Sequence, residues 1–130
     1  MSVWKGSRQL RIFVVEDHVD TLHALCLYLK YAGHSVRSAG TKAEAVKKIR
    51  QGEYDVLISD IGLPDGTGWD LIREIGDFLP PIAIAMSGYG TAADHQRSTE
   101  VGFRHHLIKP VGLEKLAAVL DEAAMEMQDR

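Results

Sequence analysis

Five polar side chains follow short apolar runs of the sequence, and their types suit chemistry on a phosphoryl group. They are Glu16 and Asp17 after residues 12–15, Asp60 after residues 56–59, Ser87 after residues 82–86, and Lys109 after residues 107–108. If these runs are parallel strands of one sheet, the carboxyl ends of the strands bring all five side chains to one edge. Three carboxylates, a hydroxyl and an ammonium gathered there would form a site for a divalent cation and a phosphoryl group.

The three acids predict a cation site. Glu16, Asp17 and Asp60 meet if the first and third strands are neighbours. Carboxylates that lie so close repel one another, so at neutral pH either a pKa rises or a cation binds. We favour the cation, because carboxylates, a loop carbonyl and water supply the octahedral oxygen ligands that Mg²⁺ prefers. One such acid alone is also typical of a helix N-cap, whereas polar residues at four strand ends together favour a site.

The length and charge of the chain narrow the class of protein. At 130 residues with 45% hydrophobic content, the chain is the size of one domain with one substantial core. Fifteen basic and 18 acidic residues give a net charge of −3, so the chain lacks the basic field that binds nucleic acid or an anionic membrane surface. We therefore expect no direct nucleic-acid partner and no membrane partner.

The sequence predicts a cytoplasmic protein. No apolar stretch approaches the roughly 18 residues that span a bilayer, and the first ten residues lack the apolar core of a signal peptide. The single cysteine, Cys26, lies in an apolar helical pattern, which indicates a small core residue rather than a metal ligand or a disulfide partner. Residues 1–9 are predicted to be a flexible lead-in, and residues 10–130 the domain.

Strand-like apolar runs alternate with helical patterns from residue 10 onwards, which predicts βαβ units around a parallel sheet. The predicted strands are residues 10–15, 34–39, 56–59, 82–86 and 105–108. The predicted helices are residues 19–32, 42–50, 69–75, 92–101 and 113–127. Thr41 and Glu44 predict a capping box at the start of the second helix.

Four motifs resemble those of the receiver domains of two-component response regulators, and the resemblance covers residues 10–127. The motifs are the acidic pair Glu16-Asp17, Asp60 with the proline- and glycine-containing loop of residues 61–68, Ser87-Gly88, and Lys109-Pro110. Each motif alone is common, whereas the four in this order and at these spacings are specific.

The resemblance implies an α/β fold, a doubly wound, flavodoxin-like sheet of five parallel strands in the order 2-1-3-4-5, with five helices. It implies that Asp60 accepts a phosphoryl group from a phosphohistidine of a sensor histidine kinase or a histidine phosphotransfer protein. Glu16, Asp17, Asp60 and the backbone carbonyl of Gly62 would hold Mg²⁺, directly or through water. Such a domain is regulatory rather than an enzyme, although it assists its own phosphorylation and dephosphorylation, and phosphorylation can make it a homodimer.

Charge gives the remaining side chains of this implied site their roles. The attacking carboxylate and the phosphoryl donor are both anions, so the transfer depends on positioning and neutralisation. Lys109 is expected to pair with Asp60 before transfer and with a phosphoryl oxygen afterwards. Ser87 donates its hydroxyl to the phosphoryl group only when that group is present, so it senses occupancy. The resemblance implies that movement of this hydroxyl shifts an adjacent loop, helix and surface between two states.

His106 departs from the family pattern, because it takes the place of a switch aromatic that is usually Tyr or Phe. An imidazole that turns inward as Ser87 moves would lose water, which lowers its pKa from about 6.5. The phosphorylated state would then bind fewer protons and be favoured as pH rises; the alternative is an exposed His106 with no switching role. Residues 102–110 and 87–90 resemble the receivers of hybrid sensor kinases more than those of transcription factors.

Two other sequence features suggest different functions, but each is disfavoured by its position in the chain. Residues 88–93 match the dinucleotide fingerprint G-x-G-x-x-A, but they follow the fourth strand, and Lys109 stands where a ribose-binding acid is needed. His105 and His106 are adjacent in a strand and would point to opposite faces, which disfavours a shared transition metal.

Two alternative functions remain open. A pseudo-receiver would keep the fold and bind proteins without being phosphorylated, although all five residues of the expected pocket are retained. A free-standing enzyme acting on small phosphate esters would need a second aspartate in the Asp60 motif, where the sequence has Asp60-Ile61-Gly62.

Overall fold

A five-stranded parallel sheet forms the centre of the computed structural model, which describes residues 9–88 and 90–128. Its strands are β1 (Arg11–Val15), β2 (Ser35–Ala39), β3 (Val56–Asp60), β4 (Ile82–Ser87) and β5 (His105–Ile108). Their order is β2-β1-β3-β4-β5, and each neighbouring pair is parallel. The predicted α/β fold and strand order are confirmed.

Five helices accompany the strands, and they begin and end within a residue or so of the predicted positions. They are α1 (Val19–Tyr31), α2 (Lys42–Ile49), α3 (Gly68–Ile75), α4 (Ala92–Val101) and α5 (Leu113–Gln128). The predicted flexible lead-in of residues 1–9 lies outside the described residues, except for Gln9. Within the described part of the chain, no helix combines the length and the apolar character needed to cross a bilayer.

The sheet is covered on both faces, so its strands carry apolar side chains in both directions. Ile12 and Val14 of β1 pack in one cluster with α1 and α5, whereas Phe13 and Val15 pack in a second cluster with α2 and α3. Successive side chains of a strand point to opposite faces, which explains this division. Burial on both faces leaves the ends of the strands for polar chemistry.

A short antiparallel hairpin, formed by residues 62–67, lies between β3 and α3 and was not predicted. Asp65 in this hairpin accepts hydrogen bonds from the backbone N–H groups of Lys42 (2.8 Å) and Ala43 (2.9 Å) at the start of α2. The bonds from Ala43 and Lys42 lower the pKa of the Asp65 carboxyl. They also satisfy N–H groups that the start of a helix leaves without a partner.

The capping box predicted at α2 is present only in part. The Thr41 hydroxyl accepts from the backbone N–H of Glu44 at 3.1 Å, but the Glu44 carboxylate accepts from Gly40 at 3.0 Å rather than from Thr41. A reciprocal capping box is formed instead at α3, by Thr67 and Asp70. The hairpin is therefore attached to α2 near its tip and to α3 at its end.

Little of α4 is buried. Within this helix, Ser98 is the buried residue and Val101 packs partly buried against the second cluster. The indole Nε1 of Trp69 in α3 donates a hydrogen bond to the Ser98 hydroxyl at 2.9 Å. The Arg97 guanidinium lies 4.1 Å from the centroid of the Trp69 ring, which is a favourable cation–π distance. Polar and cation–π contacts with one indole thus hold much of α4.

The burial of His34 predicts that the stability of the fold depends on pH. The residue is 4% exposed, and its Nδ1 accepts a hydrogen bond from the backbone N–H of Leu10 at 3.1 Å. Burial lowers the pKa of His34, and the charge of Asp121 opposes this shift only in part. The unfolded chain therefore binds a proton at about pH 6.5, where the folded chain does not, and the free energy of unfolding falls as pH drops below that value.

A His34→Asn variant measures this contribution, because its amide oxygen can accept from Leu10 but does not titrate. Urea unfolding of both proteins across about pH 7.5 to 5.5 should show a smaller loss of stability in the variant. The same pH dependence in both proteins would contradict the assignment to His34.

Candidate functional site

The ends of four strands place the predicted site residues at one edge of the sheet. In the parallel register, Ser59 lies opposite Val15, and Ile108 lies opposite Ser87. Residues that end these strands or directly follow them are therefore neighbours at the carboxyl edge. This edge carries all five of the predicted side chains: Glu16, Asp17, Asp60, Ser87 and Lys109.

Three carboxylates meet at this edge. One oxygen from each of Glu16, Asp17 and Asp60 lies within 4.8 Å of the other two. Glu16 is 1% exposed and Asp60 is 8% exposed, whereas Asp17 is open to solvent. Oxygen donors grouped in this way suit a hard divalent cation, and buried carboxylates need positive charge nearby.

The Lys109 ammonium lies between two of these carboxylates. Its Nζ donates hydrogen bonds to Oε1 of Glu16 at 2.5 Å and to Oδ2 of Asp60 at 2.8 Å. Burial lowers the pKa of Lys109, but the hydrogen bonds to Asp60 and Glu16 outweigh it, so the pKa lies above its usual value. Lys109 is therefore charged at neutral pH. Counted by formal charge, three carboxylates and one ammonium leave an excess of two negative charges, which a divalent cation would balance.

A cavity of about 420 Å³ opens beside the acid cluster. Asp60 and Lys109 line it together with Gly62 and Ser87. A group attached to the Asp60 carboxylate would enter a space that an ammonium and a hydroxyl already border. The structure thus brings Gly62 and Ser87 to the same cavity as Asp60, at the positions that the sequence predicted.

The imidazole of His106 faces this cavity and contacts Ser87. Its Nε2 lies 2.7 Å from Oγ of Ser87, and its ring stacks on His95 with 4.1 Å between centroids and 2° between planes. Burial lowers the pKa of His106, the charge of His95 lowers it further, and Asp94 acts in the opposite direction. His106 therefore remains neutral to lower pH than an exposed histidine.

Asp94 and His95 border the site but were not among the predicted site residues. Asp94 lines the cavity, and His95 packs on His106. Both lie in the first turn of α4, where the Thr91 hydroxyl accepts from the backbone N–H of Asp94 at 3.1 Å. The Thr-x-x-Asp pattern soon after β4 was a signal for this helix start, whereas the stacking of two rings depends on rotamers that no sequence pattern specifies.

The sequence matches known proteins over most of its length. Residues 12–121 match the family model of the response regulator receiver domain. The transcriptional regulatory protein KdpE of Mycobacterium tuberculosis is 30% identical over 112 residues, which are 86% of this chain and 50% of KdpE. The chain therefore spans half the length of this curated relative.

Solved structures share the fold. A two-component response regulator from Clostridium difficile has a TM-score of 0.87 and 28% identity, covering 92% of this chain and 98% of that one. A response regulator protein from Burkholderia pseudomallei, whose structure has a phosphorylated aspartic acid, a calcium ion and citrate, has a TM-score of 0.79 and 26% identity. That match covers 92% of this chain and 71% of the other.

Proposed function

Because the chain belongs to the family of response regulator receiver domains, we propose that Asp60 accepts a phosphoryl group in two-component signalling. The observation that carries this proposal is the Lys109 ammonium on Asp60 at the edge of a cavity bordered by the Ser87 hydroxyl. A nucleophilic carboxylate, a cation and a hydroxyl converge on one space, which suits transfer of an anionic group. The phosphorylated aspartic acid of the Burkholderia protein supports the same chemistry here.

The donor in the proposed reaction is a phosphohistidine of a sensor histidine kinase or of a histidine phosphotransfer protein. An oxygen of Asp60 bonds to phosphorus as the bond from phosphorus to the donor nitrogen breaks, and the electron pair of that bond stays on the imidazole. Lys109 neutralises charge at Asp60 and then at a phosphoryl oxygen. Ser87 donates its hydroxyl to the phosphoryl group after transfer, which distinguishes the two states of the domain.

Mg²⁺ is the proposed cofactor, and the acid cluster fits it in charge and in donor type. Glu16, Asp17 and Asp60 would hold the ion with the backbone carbonyl of Gly62, directly or through water. When bound, it supplies positive charge beside the phosphoryl oxygens. The excess of two negative charges around Lys109 supports a divalent ion over a monovalent one.

We propose that α1 provides the surface on which the phosphohistidine partner binds. An apolar cleft of about 630 Å³ lies between α1 and residues 110–113, and Lys109 lines both this cleft and the cavity at Asp60. Val19, Leu27 and Tyr31 of α1 are 76%, 57% and 67% exposed. Exposed apolar side chains of this kind, on the same helix as an apolar cleft, are typical of protein interaction sites. Continuity with Asp60 through Lys109 favours the phosphoryl donor as the occupant.

A regulatory domain acts through a downstream effect, which we call its output. We propose that residues 10–130 act as a cytoplasmic receiver, and that a homodimer formed on phosphorylation is one form of output. The resemblance of residues 102–110 to the receivers of hybrid sensor kinases stays a prediction. The relative KdpE is instead a transcriptional regulatory protein.

Incubation with Mg²⁺ and acetyl phosphate, followed by intact mass measurement, tests the proposed function. We expect the mass to rise by one phosphoryl group, and hydroxylamine, which cleaves acyl phosphates, to reverse the increase. A chain that stays unmodified with acetyl phosphate and with a phosphohistidine protein would instead favour a pseudo-receiver that binds proteins unphosphorylated.

Trp69 should report binding of Mg²⁺, because it lines the cavity that also contains Asp60. Adding Mg²⁺ should change tryptophan emission in a saturable way. Loss of even an outer-shell partner of a metal costs about 10–100-fold in affinity, so Asp17→Ala should weaken Mg²⁺ binding at least about tenfold, whether Asp17 contacts the ion directly or through water. Trp4 contributes background emission, so the titration is repeated in Trp4→Phe.

Glu53→Ala is the matched control for this titration, because Glu53 is an exposed acid that pairs with Arg11 at the opposite end of β1. Its response to Mg²⁺ should equal that of the unmodified chain. If the Trp4→Phe protein gave no response to Mg²⁺, a metal site beside Trp69 would be contradicted.

A further inference from the structure

The hydroxyl of Ser87 contacts an imidazole that also stacks on a second histidine ring. Nε2 of His106 lies 2.7 Å from Ser87 Oγ. The His106 ring stacks on His95 of α4 with 2° between the ring planes. A Phe or Tyr ring, usual at this position in the family, has no ring nitrogen with which to make such a bond. The contact with Ser87 therefore depends on the histidine that this chain has at position 106.

The direction of this hydrogen bond determines whether the Ser87 hydroxyl can donate its proton to another acceptor. A serine hydroxyl has one proton, so Ser87 either donates it to His106 Nε2 or accepts Nε2–H and keeps its own proton for another acceptor. In the first arrangement the proton of His106 sits on Nδ1, and in the second it sits on Nε2. Nδ1 is buried and makes no hydrogen bond with any described residue. Nδ1 lacks a partner in either tautomer, and a buried N–H without an acceptor is rarer in proteins than a buried acceptor without a donor, which favours the proton on Nε2.

We propose that His106 donates its Nε2–H to Oγ of Ser87 and thereby directs the Ser87 hydroxyl proton into the cavity that contains Asp60 and Lys109. His106 is a positioning residue in this arrangement, and Ser87 is the group that touches the phosphoryl oxygen. The inference rests on the proposed function of Asp60. It extends that function by assigning a donor to the residue that detects the phosphoryl group.

The surroundings of His106 are consistent with this role. Its lowered pKa keeps the ring neutral near pH 7, so the ring carries one N–H and its tautomer determines the direction of the bond. The titratable groups that act on it from α4 are His95 and Asp94. A dianionic phosphoryl group at Asp60 would attract the hydroxyl proton of Ser87, and Ser87 could then only accept from His106.

The tautomer can be read directly in the unmodified protein. Nitrogen-15 chemical shifts of the His106 ring should show a protonated Nε2 and an unprotonated Nδ1, both before and after addition of Mg²⁺ and beryllofluoride, a phosphoryl mimic. A proton on Nδ1 in the beryllofluoride-bound protein would overturn the proposal. This measurement does not depend on the folding of any variant.

A double-mutant cycle tests whether His106 acts through Ser87. His106→Phe keeps an aromatic ring without a donor and should weaken beryllofluoride binding about fivefold, which is the scale of one hydrogen bond between neutral groups. In a Ser87→Ala background the same change should have no further effect. His106→Gln, whose amide nitrogen is as many bonds from Cα as Nε2, should restore most of the affinity.

His23→Phe is the matched control, because His23 is exposed on α1. The affinity of this variant for beryllofluoride should equal that of the unmodified chain. Equal affinity of His106→Phe and the unmodified chain, or additive losses in the cycle, would overturn the role of His106. Failure of the unmodified chain to bind beryllofluoride would overturn the proposed function itself, so the two failures are distinguishable.

Discussion

An Asp60→Asn variant is expected to show no increase in mass with Mg²⁺ and acetyl phosphate, under conditions in which the unmodified chain gains one phosphoryl group. The carboxylate of Asp60 contacts the Lys109 ammonium at 2.8 Å and lines the cavity beside Ser87. An amide oxygen in its place is too weak a nucleophile to attack phosphorus. The size and shape of the side chain hardly change, so the loss would reflect chemistry rather than packing.

Asp65→Asn is the control for this experiment, since Asp65 is the exposed carboxylate of the hairpin and binds the start of α2 rather than Lys109. It should still be phosphorylated to one equivalent. Full phosphorylation of Asp60→Asn would place the acceptor on another residue and contradict the assignment of Asp60.

Lys109→Met is expected to slow phosphorylation by acetyl phosphate about 100-fold, the usual cost of removing one preorganised electrostatic contact to a transition state. The same variant should bind Mg²⁺ at least as tightly as the unmodified chain. The ammonium shares Glu16 and Asp60 with the proposed ion, so its removal leaves more negative charge for the ion to balance. A rate that falls while metal affinity is kept separates the role of Lys109 in transfer from a role in holding the metal.

Lys109→Arg is the matched variant, because it keeps the charge but replaces a compact ammonium with a planar guanidinium. We expect its rate to lie between those of Lys109→Met and the unmodified chain. Rates are followed by intact mass over time, and Mg²⁺ affinity by titration of tryptophan emission. An unchanged rate in Lys109→Met would contradict the proposed neutralising role.

The site could be predicted from the sequence because a parallel sheet gives each strand end a fixed place. Once the apolar runs before Asp60 and Lys109 are recognised as strands, the register of the sheet brings the residues that follow them together, whatever their separation along the chain. The type of each residue then indicates its chemistry. The strand order was available from the resemblance, since alternating strands and helices alone do not specify which strands are neighbours.

Features that depend on single side-chain geometries could not be predicted in this way. The hairpin at residues 62–67 has strands of two residues, which are too short to show a period. The bonds from Asp65 to α2 join residues 22 and 23 positions apart, and nothing in the local sequence indicates them. The sharing of Lys109 between Asp60 and Glu16 likewise depends on the rotamer of a long side chain. By contrast, the capping box of Thr67 and Asp70 is a recognisable pattern that could have been predicted.

The sparse burial of α4 implies that this helix has the lowest resistance to local unfolding among those near Asp60. Free energies of local opening are small where few apolar side chains are buried. Hydrogen bonds between side chains and backbone N–H groups attach the hairpin to both α2 and α3. By contrast, α4 depends largely on the contacts of Trp69 with Ser98 and Arg97, together with the stacking of His95 on His106. Backbone amides of α4 should therefore exchange with deuterium well before those of β3. When the charge at Asp60 changes, the hairpin on one side of the site resists movement, whereas α4 on the other side yields more easily. We therefore expect the structural response to occur mainly in α4.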